Sequence, residues 1–336
     1  MMRPFRRALF LGALLVAGAA LLHLDWIRIA GYLSLTRRGA EEATGRGLDL
    51  AAYRAVMQAQ PVAGLRRNAS GLTWNMATGT LFAVVNRPPA VVEMTPDGRL
   101  LRQIPLPGMA DTEGISHVQD DLFVVSDESD NSLHWIRIAA NADVVIPVAR
   151  FHPVPGFRPW PNLGFEGASW DETRTELLLV NEKWPQQVMI VSGLDPASPQ
   201  KIAVGYRPDD DVRVWRPRAW LGPLGRDLAS LTVVPDSGYL LLLSEASALV
   251  TEYSRDGAVV GLLPLWGGTS GLRRTVPQPE GITLGPDGSI YILSEPNLLY
   301  RFVRTDRLRP KPLMVPAHAD VRPTRLTQVR PPALFR

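Results

Sequence analysis

The sequence predicts an all-β fold: a β-propeller of four-stranded antiparallel blades, five favoured and six possible, behind an N-terminal transmembrane helix. Three observations predict it. A short apolar pattern recurs five times, turns rich in Gly, Pro and Asp separate its strands, and an apolar run of about twenty residues stands at the start of the chain.

The N-terminal run comes first. Phe5 to Leu24 is apolar apart from His23, and Arg3, Arg6 and Arg7 precede or open it. At ~1.5 Å per residue such a run matches a hydrocarbon core of roughly 30 Å. Arginines ahead of it favour a cytoplasmic N-terminus and put the bulk of the chain outside. The rival is a cleaved signal peptide with Ala17-Gly18-Ala19 as its cleavage site. Apolar residues continuing through Leu24, followed by Trp26 and Tyr32 as interfacial anchors, favour an uncleaved span. The expected organisation is an anchor over 1–28, a linker over 29–52 and a propeller over 53–336.

The repeats follow. They open at Ser70-Gly71-Leu72-Thr73, Glu113-Gly114-Ile115-Ser116, Glu166-Gly167-Ala168-Ser169, Ala229-Ser230-Leu231-Thr232 and Glu280-Gly281-Ile282-Thr283. A strongly apolar second strand comes after each: Leu81 to Val85, Leu122 to Ser126, Leu177 to Asn181, Leu240 to Ser244 and Ile290 to Ser294. Third strands include Ala90 to Thr95, Leu133 to Ile138, Val188 to Val191, Val250 to Ser254 and Leu298 to Val303. Asp97-Gly98 and Asp256-Gly257 make tight turns into fourth strands at Arg99 to Pro105 and Ala258 to Leu265. Runs this short, rich in Val, Ile and Leu, read as strands, and four of them repeated is the signature of a blade. The last repeat lacks its fourth strand, and Tyr53 to Gly64 has the spacing to supply it and close the ring. Phe151 to Gly164 and Asp195 to Arg226 read as insertions; a sixth blade would have to come from the latter.

Composition excludes several function classes. The chain of 336 residues has no cysteine, so neither a disulfide framework nor a thiolate zinc site is available. Its net charge of +3 is carried by arginine, with lysine only at Lys183, Lys201 and Lys311, and no basic run alternates with aromatics; nucleic acid is not an expected partner. No Gly-x-Ser-x-Gly elbow, Walker loop or His-Glu-x-x-His helix occurs. Asp209-Asp210-Asp211 reads as a solvated loop, and the histidines have no ligand spacing.

Aligning the repeats exposes two polar columns. One opens the first strand of each blade: Ser70, Glu113, Glu166, Ala229 and Glu280. The other ends the second strand: Asn86, Asp127, Glu182, Glu245 and Glu295. An antiparallel neighbour returns to the end from which its partner starts, so both columns should meet at one mouth of the channel. Carboxylates gathered there repel unless a cation offsets them, and hard oxygen ligands select calcium or magnesium. The opposing reading has each acid binding backbone N–H groups where blades join.

The run Asn68-Ala69-Ser70-Gly71-Leu72-Thr73-Trp74-Asn75, followed by Leu81 to Pro89, resembles the SdiA-regulated family of bacterial envelope proteins. So do Phe165-Glu166-Gly167, Val180-Asn181-Glu182-Lys183 and Pro279-Glu280-Gly281-Ile282. The resemblance implies a propeller in the periplasm, tethered to the inner membrane by a single pass through residues 5–24, and a calcium-binding one. It makes Glu113, Asp127, Glu166, Glu182, Glu245, Glu280 and Glu295 the candidate metal ligands. The fourth repeat departs from the pattern, with Ala229-Ser230 in place of an acidic-Gly pair. The expected function is a module of the cell envelope that binds calcium and serves in binding or regulation, with an envelope protein or an anionic small molecule as a further partner. Two rivals stand beside it: a metal-dependent phosphoric ester hydrolase, in which Arg87 and Lys183 contact the anion and no catalytic residue is assigned, and a scaffold without metal.

Overall fold

The computed structural model describes residues 31, 34, 47–65, 67–154, 164–181, 186–198, 211–218 and 227–305. The apolar run over 5–24 lies outside them, and none of the described helices is long and apolar enough to cross a membrane. Among the described residues, twenty strands follow a short 3-10 turn at Leu50–Ala52. They form five separate four-stranded antiparallel sheets.

The first blade runs from the channel outward as β2 (Ala69–Asn75), β3 (Thr80–Asn86), β4 (Pro89–Met94) and β5 (Leu100–Pro105). The second is β6 (Thr112–Gln119), β7 (Leu122–Asp127), β8 (Ser132–Arg137) and β9 (Ile146–Phe151). The third is β10 (Phe165–Asp171), β11 (Glu176–Asn181), β12 (Gln187–Val191) and β13 (Val212–Trp215). The fourth is β14 (Ser230–Val233), β15 (Leu240–Ser244), β16 (Leu249–Tyr253) and β17 (Val259–Pro264). In the fifth, β18 (Pro279–Leu284), β19 (Ile290–Ser294) and β20 (Leu298–Arg304) are completed by β1 (Tyr53–Pro61), which pairs with β20 from Tyr53↔Arg304 to Pro61↔Leu298. The ring is therefore closed by a strand from the far end of the chain, as its spacing predicts. The described residues of the stretch 195–226 supply β13, one fourth strand, and the ring they belong to has five blades.

The second strands of the blades read as unbroken apolar runs because both faces are buried. Alternate residues point opposite ways along a strand. In β3, Leu81, Ala83 and Val85 pack with Tyr291, Leu293 and Leu299 of the fifth blade, while Phe82 and Val84 pack with Ile115, Phe123 and Val125 of the second. Each of the five apolar clusters sits between two neighbouring blades in this way. Full burial of one such side chain is worth about 1.5–3 kcal/mol, so the cores that hold each blade to the next also fix the diameter of the ring.

Toward the axis the inner strands approach too closely for side chains. A Cβ on Gly114 would lie 2.9 Å from Ala168 N and 3.0 Å from the Gly167 carbonyl carbon; on Gly281 it would lie 2.8 Å from the Gly71 carbonyl carbon. The repeated glycine of the motif is thus a spacing requirement at the centre of the ring.

Candidate metal centre

The pairing Thr112↔Asp127 puts the start of β6 and the end of β7 at one mouth, as Pro279↔Ser294 does in the fifth blade and Phe165↔Asn181 in the third. At that mouth Asp111, Glu113 and Glu128 each bring a carboxylate oxygen within 4.8 Å of the others. Asp111 comes from the loop that enters the second blade, Glu113 is the second residue of β6, and Glu128 directly follows β7.

Glu113 is the pivot. Its Oε1 accepts from Asn86 Nδ2 at 2.8 Å and its carbonyl from Ser70 Oγ at 3.0 Å, so both first-blade column residues reach it across the blade boundary. Burial pushes its carboxyl up to about 7; hydrogen bonds from Asn86 and Ser70 oppose the shift, and the charges of Asp111 and Glu128 add to it. Glu128 holds the next blade, accepting from Gly164 N at 2.9 Å. Arg87 lies on the rim, its guanidinium 3.7 Å from Asp111 and 73% exposed.

The oxygens around this group are under-used. Asp111 Oδ1, Asn86 Oδ1 and Asn131 Oδ1 are buried and have no hydrogen-bond partner among the described residues. A point beside Gly164 lies 2.8 Å from Asn131 Oδ1 and 2.3 Å from Glu128 Cγ, so Asn131 belongs to the same neighbourhood. Buried acceptors without donors are costly, and a cation is one means of satisfying them. Calcium–oxygen distances of about 2.3–2.6 Å allow two ligands of one ion to stand up to about 5 Å apart. The spacing of the three carboxylates fits that limit.

The other candidates are placed differently. Asp127 turns its oxygens onto backbone and a hydroxyl: Oδ2 accepts from Ala110 N at 2.9 Å, and Oδ1 from Asp111 N at 3.2 Å and Ser129 Oγ at 2.6 Å. It shapes the loop that presents Asp111. Glu166, Glu245, Glu280 and Glu295 are half-buried at their own blades and join no group of three metal-ligating side chains among the described residues. Glu182 lies outside the described residues. Asp111 and Glu128 escape an alignment of repeats because they flank the aligned positions. Their one signal is that Glu128 follows an acidic residue directly, and alternation sends the two side chains opposite ways.

A five-bladed propeller with a carboxylate cluster at one mouth is the class of protein these features define. The chain belongs to the SdiA-regulated family, whose model matches residues 46–303. Among solved structures it is similar to a glutaminyl cyclase of Myxococcus xanthus, at 13% identity over 75% of this chain and 95% of that one, with a TM-score of 0.49. Similarity to regucalcin of Agrobacterium tumefaciens, a calcium-binding protein, is 11% over 74% and 93%, with a TM-score of 0.43. A streptogramin B lyase matches at 13% over 70% of this chain and 64% of that one, with a TM-score of 0.39. These likenesses concern the fold alone.

Proposed function

We propose that the protein is a membrane-anchored propeller of the bacterial envelope that faces the periplasm, binds a divalent cation, Ca²⁺ in preference to Mg²⁺, and serves as a binding or regulatory module. The observation that carries the cation is the meeting of Asp111, Glu113 and Glu128 within 4.8 Å, beside buried acceptor oxygens that lack donors among the described residues. A bound ion would be held by these carboxylates, with the amide oxygens of Asn86 and Asn131 beside them. Its charge would offset the mutual repulsion that the three acids otherwise bear. Calcium is favoured because the donors are oxygen only and come from loops of two strands and their flanks, a set that tolerates irregular geometry better than magnesium's octahedron does. The apolar run over 5–24, with arginines ahead of it, supports the anchor and its orientation.

One observation favours a second reading. Arg87, largely exposed beside Asp111, could hold an anion next to the cation, as a metal-dependent phosphoric ester hydrolase requires.

The test is the thermal midpoint of the full chain in a chelator and then with Ca²⁺ or Mg²⁺. Stabilisation of about 2.7 kcal/mol is expected at a hundredfold excess of Ca²⁺ over its dissociation constant. It should vanish in Glu113→Gln and persist in Glu295→Gln. No shift with either ion would sink the metal reading, and hydrolysis of a phosphomonoester that is lost in Arg87→Ala would support the enzyme.

A further inference from the structure

The opposite mouth carries a different chemistry. The fourth residue of every motif is a hydroxyl: Thr73, Ser116, Ser169, Thr232 and Thr283, each more than nine-tenths buried. Four of them accept a backbone N–H from the next blade. Thr283 accepts from Trp74 at 3.1 Å, Thr73 from His117 at 3.0 Å, Ser116 from Trp170 at 2.9 Å and Ser169 from Val233 at 3.1 Å. A hydroxyl that accepts one bond still has a proton and a second lone pair. Ser116 gives its proton to the His117 carbonyl at 3.2 Å, whereas those of Thr73, Ser169 and Thr283 have no acceptor among the described residues.

These hydroxyls line a cavity of about 170 Å³ that opens between the inner strands. Its rim carries Trp74 and Trp170, both held by aromatic neighbours: Trp74 against Tyr291 at 5.7 Å and Trp170 against Trp135 at 5.9 Å. The charges at the rim are mostly spent. Asp171 is paired with Arg174 and Arg255, and burial lowers the pKa of His117, which favours its uncharged ring. Glu172 is exposed at the rim and makes no ion pair among the described residues.

We propose that this mouth binds a small, neutral, hydroxyl-rich molecule, a monosaccharide or polyol. Hydroxyls that can both donate and accept match the hydroxyls of such a ligand, Glu172 can accept from two of them, and the tryptophans offer apolar surface to its carbon skeleton. An anion would meet Glu172 with no arginine or lysine among the described residues of the lining to offset it. The volume lies below the roughly 300–1,000 Å³ of sites for drug-sized ligands, which selects a single ring over a cofactor. The site is independent of the cation at the other mouth.

Saturation-transfer NMR on the full chain in a sugar-free detergent tests this, with D-glucose, myo-inositol and glycerol as probes and acetate and choline as charged comparators. At least one neutral probe should bind. Ser169→Ala and Glu172→Gln should each weaken it by about two- to tenfold, the worth of one hydrogen bond, while Glu113→Gln leaves it unchanged. Ser169→Ala also removes the partner of Val233 N, so the exposed Glu172→Gln keeps the test sound if that variant folds poorly. Failure of all three polyols to bind, indifference of binding to Glu172→Gln, or preference for acetate would overturn the proposal.

Discussion

Replacing Glu252 by glutamine should remove a pH dependence that the fold builds into its fourth blade. Glu252 sits on β16 with no exposed surface, and its two carboxylate oxygens accept from Leu48 N at 3.0 and 3.1 Å. Burial pushes its carboxyl up from 4.5 to about 7, with the charge of Asp49 adding to the shift and the Leu48 bond opposing it. A carboxyl whose folded-state pKa is raised favours folding in its protonated form. Its contribution is fully present below its unfolded pKa, falls as pH rises, and is lost once pH passes the folded value near 7. The difference in pKa corresponds to about 3 kcal/mol by the linkage relation. Glutamine keeps an oxygen for Leu48 N and cannot ionise. Urea unfolding of wild type and Glu252→Gln at about pH 5 and about pH 8 reads the effect. The variant should gain up to about 3 kcal/mol on wild type between the two conditions. An equal stability difference at both would refute a buried, ionising Glu252. Subtracting variant from wild type also removes Glu113, which shifts in the same direction.

Two further perturbations probe how blades are joined. Arg255 reaches back from the fourth blade to Asp171 and to Glu176 of the third, at 3.3 Å in the latter case, and Asp171 is almost fully buried. Arg255→Ala should cost about 1.5–3 kcal/mol, the worth of hydrogen bonds to a charged group, because buried Asp171 loses one of its two arginines and keeps Arg174; a loss below about 1 kcal/mol in denaturant midpoints would argue against that pairing. In Gly114→Ala, the new methyl would lie 2.7 Å from Ser126 Oγ and 2.9 Å from Ala168 N. Overpacking against the next blade's backbone should lower stability by about 1–3 kcal/mol, and an unchanged thermal midpoint would show that the inner strands can part.

Most of the ring was legible because a blade repeats a physical environment. The second strands are buried on both faces, and their apolar runs predict β15 and β19 over their observed lengths. The fourth strands β9 and β13 were not legible. β9 is an outer strand, half-exposed along its length and interrupted by Pro147, and β13 has four residues inside a proline-rich stretch. Outer strands need only one buried face, so their composition carries less signal. The candidate site was legible in part for a related reason. An alignment of repeats finds equivalent backbone positions, and Glu113 was found that way. It does not tell that Asp127 turns toward backbone N–H groups while its neighbour Glu128 turns toward Glu113.

The fourth repeat shows how one departure from the pattern is absorbed. Where the other blades have glycine, it has Ser230, whose Cα already lies 2.9 Å from a Cβ built on Gly167. Ser230 thus carries a side chain where the motif elsewhere has none. The belt of hydroxyl-to-backbone bonds spans the junctions from the fifth blade through the first, second and third to the fourth. Among the described residues no such bond from Thr232 joins the fourth to the fifth. That junction is held from outside instead. Leu50 and Tyr53 are buried in the apolar cluster that unites Leu241, Leu243 and Leu263 of the fourth blade with Ile282, Ile292 and Phe302 of the fifth. Leu48 is bonded to Glu252 of the fourth blade, and the Tyr53 hydroxyl donates to Gly288 of the fifth at 2.8 Å. The segment that leads into the propeller therefore staples the junction that this belt, among the described residues, does not cross. A side chain at Gly47 would lie 2.6 Å from Val260 Cγ1 and crowd this staple where it meets the fourth blade.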